Sequence, residues 1–169
     1  MTAGERTTAP TWAFLVNHPA HLIALGLGTG LSPVAPGTAG TLVALPIAWA
    51  LGAYAGTPGW LATIGAVTII GLWAAHVTSR DLGVADHGSI VIDEIAAFLF
   101  VLFFAGPDLV RQGIAFVVFR FFDIVKPPPI RQLDRAMKNA VGVMADDFLA
   151  AGYTLLVLAV LLRLFTGRS

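Results

Sequence analysis

The chain has no cysteine among its 169 residues. That absence removes disulfides, thiolate metal sites and cysteine nucleophiles together. Charge is nearly as scarce. Asp, Glu, Lys and Arg make up 12% of the sequence, about half the share found in soluble domains. Basic and acidic residues number ten each, so no net field points to a nucleic-acid partner. Apolar bulk stands where charge is missing, with 57% hydrophobic residues and a mean hydropathy of +0.82. These values place the chain among integral membrane proteins, and its length suits one domain. The opening MTAGERTTAP is polar and lacks the basic start, apolar run and cleavage site of a signal peptide. Residues 1–11 are therefore read as a flexible terminus ahead of a single membrane domain over 12–169.

Against the roughly 20 apolar residues needed to cross a bilayer, the sequence offers segments 41–55, 60–78, 90–105, 109–125 and 147–165. Segment 12–31 holds His18, Pro19 and His21 and is interrupted by glycine, which predicts an interfacial or broken helix. The connections at 56–59 (GTPG) and 106–108 (GPD) are minimal Gly/Pro turns. Those at 32–40, 79–89 and 126–146 are long and polar. If each segment crosses, chain direction alternates, and all three polar connections fall on one membrane face. Arg80, Arg120, Lys126, Arg131, Arg135 and Lys138 gather on that face, against Arg111, Arg163 and Arg168 opposite. Basic residues favour the cytoplasmic side. The expected fold is all-α: a small multi-spanning helical membrane protein with an interfacial amphipathic helix and a site at the cytoplasmic membrane edge.

Three clusters on the polar face carry candidate chemistry. In GLGTGLSPVAPGTAGT (26–41), glycines let backbone N–H groups approach a ligand, and a helix starting near Thr41 would add its positive end. Pro36, Gly37, Thr38, Gly40 and Thr41 are thus candidate substrate-binding positions; the plainer reading is a loop with Thr38 or Thr41 as N-cap. In DLGVADHGSIVIDEIAAF (81–98), Asp93 and Glu94 enter an apolar helix, where ionised carboxylates need a partner or a metal. Asp86 and His87 precede them and read equally as turn residues. In RFFDIVKPPPIRQLDRAMKNAVGVMADD (120–147), Arg120 and Asp123 share a helix face and either pair with each other or leave the guanidinium for a phosphate. Lys126 follows, and three prolines end the helix. Ile130, Leu133, Met137, Val141 and Met144 recur at helical spacing opposite Arg131, Asp134, Arg135 and Lys138. That predicts a basic amphipathic helix over 130–144, fit for an anionic membrane surface or for ordinary packing. Asp146 and Asp147 close the stretch, as a cap or as metal ligands. Oxygen ligands without cysteine suit Mg²⁺ better than Zn²⁺.

The blocks GLSPVAPGTAGT, DHGSIVIDEIAAF and FRFFDIVKPPPIRQLD, followed by DDFLAAG (146–152), together resemble the phosphatidylglycerophosphatase A family over most of the chain. Ile92 and Ala96–Ala97 depart from the family pattern without touching an ionisable residue. The resemblance implies a bacterial inner-membrane, Mg²⁺-dependent lipid phosphatase that hydrolyses phosphatidylglycerophosphate. On that footing Asp93, Glu94, Asp146 and Asp147 are expected to hold the metal. Arg120 and Lys126 would face the phosphate, with Asp86 or Asp123 as base. Residues 36–41, His87, Arg131 and Arg135 would bind the lipid substrate. An aspartyl-phosphate route stays open, as do another phospholipid monoester as substrate and a carboxylate-lined transporter.

Overall fold

The structure, a computed structural model, describes residues 9–166 of the chain, without the side chains of 165 and 166. The expected flexible terminus falls mostly outside them. Within them Thr11 already caps the first helix, accepting from the Phe14 N–H at 3.3 Å. Eight α-helices follow, with no strand among the described residues. They are α1 (Trp12–Asn17), α2 (Pro19–Ala24), α3 (Pro36–Tyr54), α4 (Gly56–Leu82), α5 (Ile92–Ala105), α6 (Leu109–Val125), α7 (Ile130–Ala136) and α8 (Ala140–Thr166). A 3₁₀ segment, Gly26–Leu31, joins α2 to α3. Three helices are long and apolar enough to cross a membrane: Pro36–Tyr54, Gly56–Leu82 and Ala140–Leu164.

The shorter α5 is the centre of the bundle. Its Ile92, Ile95, Phe98, Leu99 and Leu102 are buried, and α3, α4, α6 and α8 pack around it. The surrounding helices present small residues to these large ones. The buried face of α3 is Gly37, Gly40, Thr41, Ala44 and Ala48, and that of α4 includes Gly71, Ala74, Ala75 and Thr78. Small faces let helix backbones approach closely where lipid removes the hydrophobic driving force between helices. At Gly40 the approach is tight: a Cβ there would stand 2.5 Å from the Cβ of Val91.

The polar clusters meet at one end of the bundle, as expected from the connections. Arg120, near the end of α6, meets Glu94 at the start of α5 and Thr41 near the start of α3. Lys126 meets Asp146 in the early turns of α8. At the other end of the bundle, Trp49 Nε1 donates to Gln112 Oε1 at 3.0 Å. Helix ends from four elements, α3, α5, α6 and α8, therefore share one polar pole.

Several boundaries differ from expectation. GTPG is not a turn but the opening of α4, with Pro58 tolerated in the first turn and Gly56 at φ 57 making the corner. Residues 36–41 are not a loop: Pro36 at the first helical position starts α3 five residues early, behind Ala35 at φ 48. The amphipathic helix over 130–144 is broken at Met137–Asn139. There the Asn139 side chain accepts from the Gly142 N–H at 2.9 Å and starts α8 anew. Val141, expected on the apolar face, is consequently exposed. Segment 12–31 is a broken helix, held by His21, whose Nδ1 contacts Phe14 O at 2.9 Å and Nε2 contacts Asp81 Oδ2 at 3.0 Å.

Candidate active site

Asp93 and Glu94 occupy the first turn of α5, where carboxylates favour the positive helix end. Asp93 Oδ1 accepts from the Glu94 N–H at 3.0 Å. Asp147 comes from the second turn of α8, and one carboxylate oxygen from each of Asp93, Glu94 and Asp147 lies within 4.8 Å of the others. Asp93 and Asp147 are buried. Three carboxylates this close repel unless something positive stands among them.

Part of that charge is Arg120. Its Nη1 lies 2.7 Å from Asp123 Oδ2, 3.2 Å from Glu94 Oε1 and 3.4 Å from Thr41 Oγ1. The i,i+3 pair expected on α6 is thus formed, and it is shared with α5 and α3. One guanidinium does not satisfy the set. Glu94 Oε2, Asp147 Oδ2, Asp146 Oδ1 and Arg120 Nε are all buried without a hydrogen-bond partner. Orphaned buried oxygens of this kind are costly, and a divalent cation would satisfy them. The donor set is oxygen only and carries several negative charges, which fits Mg²⁺.

The start of α3 leans directly on this cluster. A Cβ at Gly37 would stand 1.9 Å from Glu94 Oε1 and 3.0 Å from Arg120 Nη2. Thr41 donates to Gly37 O at 2.8 Å and also receives Arg120. Because α3 begins at Pro36, and Ala39 already bonds back to Ala35 O, the donors left to the first turn are the Gly37 and Thr38 N–H groups. Of the positions 36–41 expected to cradle an anion, these two keep a backbone N–H outside the helix ladder. Gly40 packs on Val91 instead.

The remaining candidates are placed differently. Asp146 does not join the Asp93–Glu94–Asp147 group but pairs with Lys126, whose Nζ also lies 3.0 Å from Asp134 Oδ1. Lys126 is pushed above its ordinary pKa: burial alone would lower it, and the hydrogen bonds to Asp146 and Asp134 outweigh that. Asp134 is held below its ordinary value, burial being overcome by the Lys126 hydrogen bond. Asp134, which sequence reading placed on this face without a role, is therefore the partner that positions Lys126. Asp86 is exposed in the α4–α5 connection. His87 Nδ1 accepts from the Ser89 N–H at 3.2 Å and shapes the turn. Arg131 donates to Val125 O at 3.1 Å, and Arg135 is exposed on α7.

The carboxylates are recessed. Ile92 packs against Gly71, where a Cβ would lie 2.9 Å from Ile92 Cγ1. From Gly71, α4 continues to Leu82, about 16 Å of helix at 1.5 Å per residue. From Ala140 to Asp147, α8 likewise overhangs by about 10 Å. Helices α4 and α8 thus continue past the level of the cluster at the polar pole.

Comparison with known proteins adds the chemistry's name. A protein-family model described as Phosphatidylglycerophosphatase A matches residues 22–162. A protein named Phosphatidylglycerophosphatase A from Haemophilus influenzae is 42% identical over 142 residues, covering 83% of this chain and 86% of its own. One of the same name from Escherichia coli is 40% identical over 137 residues, covering 80% and 78%. A Bacteroides thetaiotaomicron protein named "Putative phosphatidylinositol-3-phosphatase" is 39% identical over 147 residues, covering 82% and 91%. No solved structure matches. With the recessed carboxylates and the matched length taken together, the chain belongs to the phosphatidylglycerophosphatase A family, phosphoric monoester hydrolases of a membrane lipid.

Proposed function

We propose that this chain hydrolyses phosphatidylglycerophosphate to phosphatidylglycerol and phosphate at the cytoplasmic edge of the bacterial inner membrane, and that it depends on Mg²⁺. The observation that carries the reading is the Asp93–Glu94–Asp147 cluster with Arg120 beside it, at the polar pole of a membrane-spanning bundle. Those three carboxylates would hold the ion. When bound, the ion would lower the charge barrier to attack on a phosphate and make a water more acidic.

The chain's own groups supply the rest. Arg120 keeps its Nε uncommitted and offers it to a phosphate oxygen. The Gly37 and Thr38 N–H groups point the start of α3 at the same anion. Asp123, held by Arg120 and adjacent to Asp147, is better placed as base than the exposed Asp86. In the hydrolysis, the water oxygen bonds to phosphorus as the bond from phosphorus to the glycerol oxygen breaks. The water proton passes to Asp123, and the leaving alkoxide takes up a proton from solvent water. Lys126 is already committed to Asp134 and Asp146, so it acts as a reserve cation next to the cluster. The exposed Arg131 and Arg135 face the anionic surface from α7. Carboxylates gathered at helix ends serve surface chemistry better than a midplane transport path.

The test is phosphate release by the detergent-purified protein with Mg²⁺, with chelator, and with Asp93→Asn. Release that needs Mg²⁺ and is lost in the variant supports the reading. Release that persists in chelator overturns the metal dependence. Phosphatidylinositol 3-phosphate belongs in the same assay, given the name of the Bacteroides relative. A faster rate on it would transfer the assignment to that lipid.

A further inference from the structure

Between Arg6 and Arg80 the sequence contains no Asp, Glu, Lys or Arg. Helices α3 and α4 explain part of that gap, because both are long and apolar enough to span. Residues 12–31 are not. Helices α1 and α2 hold six residues each, about 9 Å of helix apiece. A short surface helix facing water carries charged or polar groups on its outer side. This segment carries apolar bulk there instead: Trp12, Val16 and Leu27 are 69%, 74% and 70% exposed.

Those three residues form one patch. Trp12 and Val16 are four apart and share a face of α1. The Trp12 ring lies over Gly28, where a Cβ would stand 3.3 Å from its Cη2, and Leu27 is the adjoining residue. Leu27 holds φ 57, in the left-handed region that glycine and asparagine adopt most readily. In a water-facing turn a polar turn residue would serve that backbone better. A leucine there gains only if its surroundings are apolar.

The patch is continuous with the lipid-facing side of a spanning helix. The His18 ring centroid lies 6.2 Å from that of Trp73, and Trp73 is exposed on α4 together with Ile69 and Ile70. Irregular backbone at membrane depth must find its polar partners within the protein, and both breaks in the segment are closed from within. At the first, His18 Nδ1 accepts from the Ala20 N–H at 3.0 Å, and His21 Nδ1 contacts Phe14 O. At the second, Leu25 O accepts from the Gly28 and Gly30 N–H groups, both at 3.0 Å, and Thr29 Oγ1 donates to Gly26 O at 2.9 Å. Ala24 O accepts from the Val91 N–H at 2.9 Å, just before Asp93 and Glu94.

We propose that residues 12–31 form a wedge sunk in the leaflet on the side of the polar pole, with lipid acyl chains covering the Trp12–Val16–Leu27 face. Through the Ala24–Val91 hydrogen bond and the His21–Asp81 contact, the wedge holds the start of α5 and the end of α4 at one level of the bilayer. Its partner is the acyl layer itself, so the inference stands whichever lipid is hydrolysed.

The absence of native cysteine makes depth measurable. A fluorophore is placed on Val16→Cys, on Leu27→Cys or, as the water-facing control, on Ala85→Cys, all exposed positions. Each protein is held as a single copy in phosphatidylcholine nanodiscs, quenched either by nitroxide-bearing phosphatidylcholine or by iodide in the buffer. The proposal expects emission at Val16 and Leu27 to be lost to the lipid nitroxide and spared by iodide, with Ala85 showing the reverse. A depth of about 5–10 Å below the headgroup boundary means that a nitroxide high on the acyl chain quenches more than one near its end. Iodide quenching at Val16 and Leu27 equal to that at Ala85 would overturn the proposal. Shielding that appears only in discs holding two copies would assign the face to self-association and overturn it as well.

Discussion

Gly37 shows how a residue can matter through what it lacks. Alanine there would put a methyl against the Glu94 carboxylate, so Glu94 or α3 must shift. We expect Gly37→Ala to lower stability by about 1–3 kcal/mol, and to lower phosphate release more than unfolding can explain. Paired melting curves and rate measurements check this. Arg120→Gln should reduce the rate by about 10²–10³-fold, the scale for losing one preorganised donor at developing charge, with a smaller change in KM. The Lys126–Asp134 pair gives a pH prediction. Asp134 titrates below its ordinary 3.8 and Lys126 above its ordinary 10.5. The pair's stabilisation is thus complete between those values, and it is lost as pH falls through the lowered Asp134 value or rises through the raised Lys126 value. The stability difference between the native chain and Asp134→Asn, read by denaturant titration, should be flat from about pH 5 to 9 and shrink in acid. At this scale the sequence was informative about Asp93 and Glu94, because two carboxylates in an apolar run demand a partner. It was silent on the steric role of Gly37 and on the His21–Asp81 contact, which joins residues 60 apart in the chain.

Elements were legible where hydrophobic runs were long and misread where local chemistry interrupted them. Segment 109–125 is α6 to the residue, stopped by the prolines that follow. The amphipathic pattern over 130–144 looked continuous because its apolar spacing survives the break. Only Asn139, a polar residue whose side chain can replace a helix bond, marked the restart. Asn139→Ala should therefore destabilise α8 by about 1 kcal/mol and disturb Asp146 and Asp147, while Asn139→Asp should retain the cap. Thermal unfolding in detergent distinguishes the two. Segment 36–41 was misread for the converse reason. Glycine and proline suggested a loop, yet proline is welcome at the first helical position and glycine was selected by close packing.

For the molecule as a whole, the polar clusters gather at one end of the bundle as the count of crossings expected, while three helices rather than five are long and apolar enough among the described residues to cross a membrane. Single cysteines at Gly88 and Gln132, both exposed at the polar pole, should label from one membrane side, and those at Tyr54 and Asp108 from the other. Mixed labelling would refute the arrangement. What no run of residues displayed was depth. The central helix is only 14 residues long, roughly 21 Å, while α4 and α8 rise past it on either side. A catalyst sunk between taller walls meets its lipid without pulling it from the leaflet. The substrate arrives by sideways diffusion, already oriented, and its concentration is counted per unit of membrane area. Diluting phosphatidylglycerophosphate with neutral detergent at fixed total amount should then slow turnover, whereas diluting the whole suspension with buffer should not.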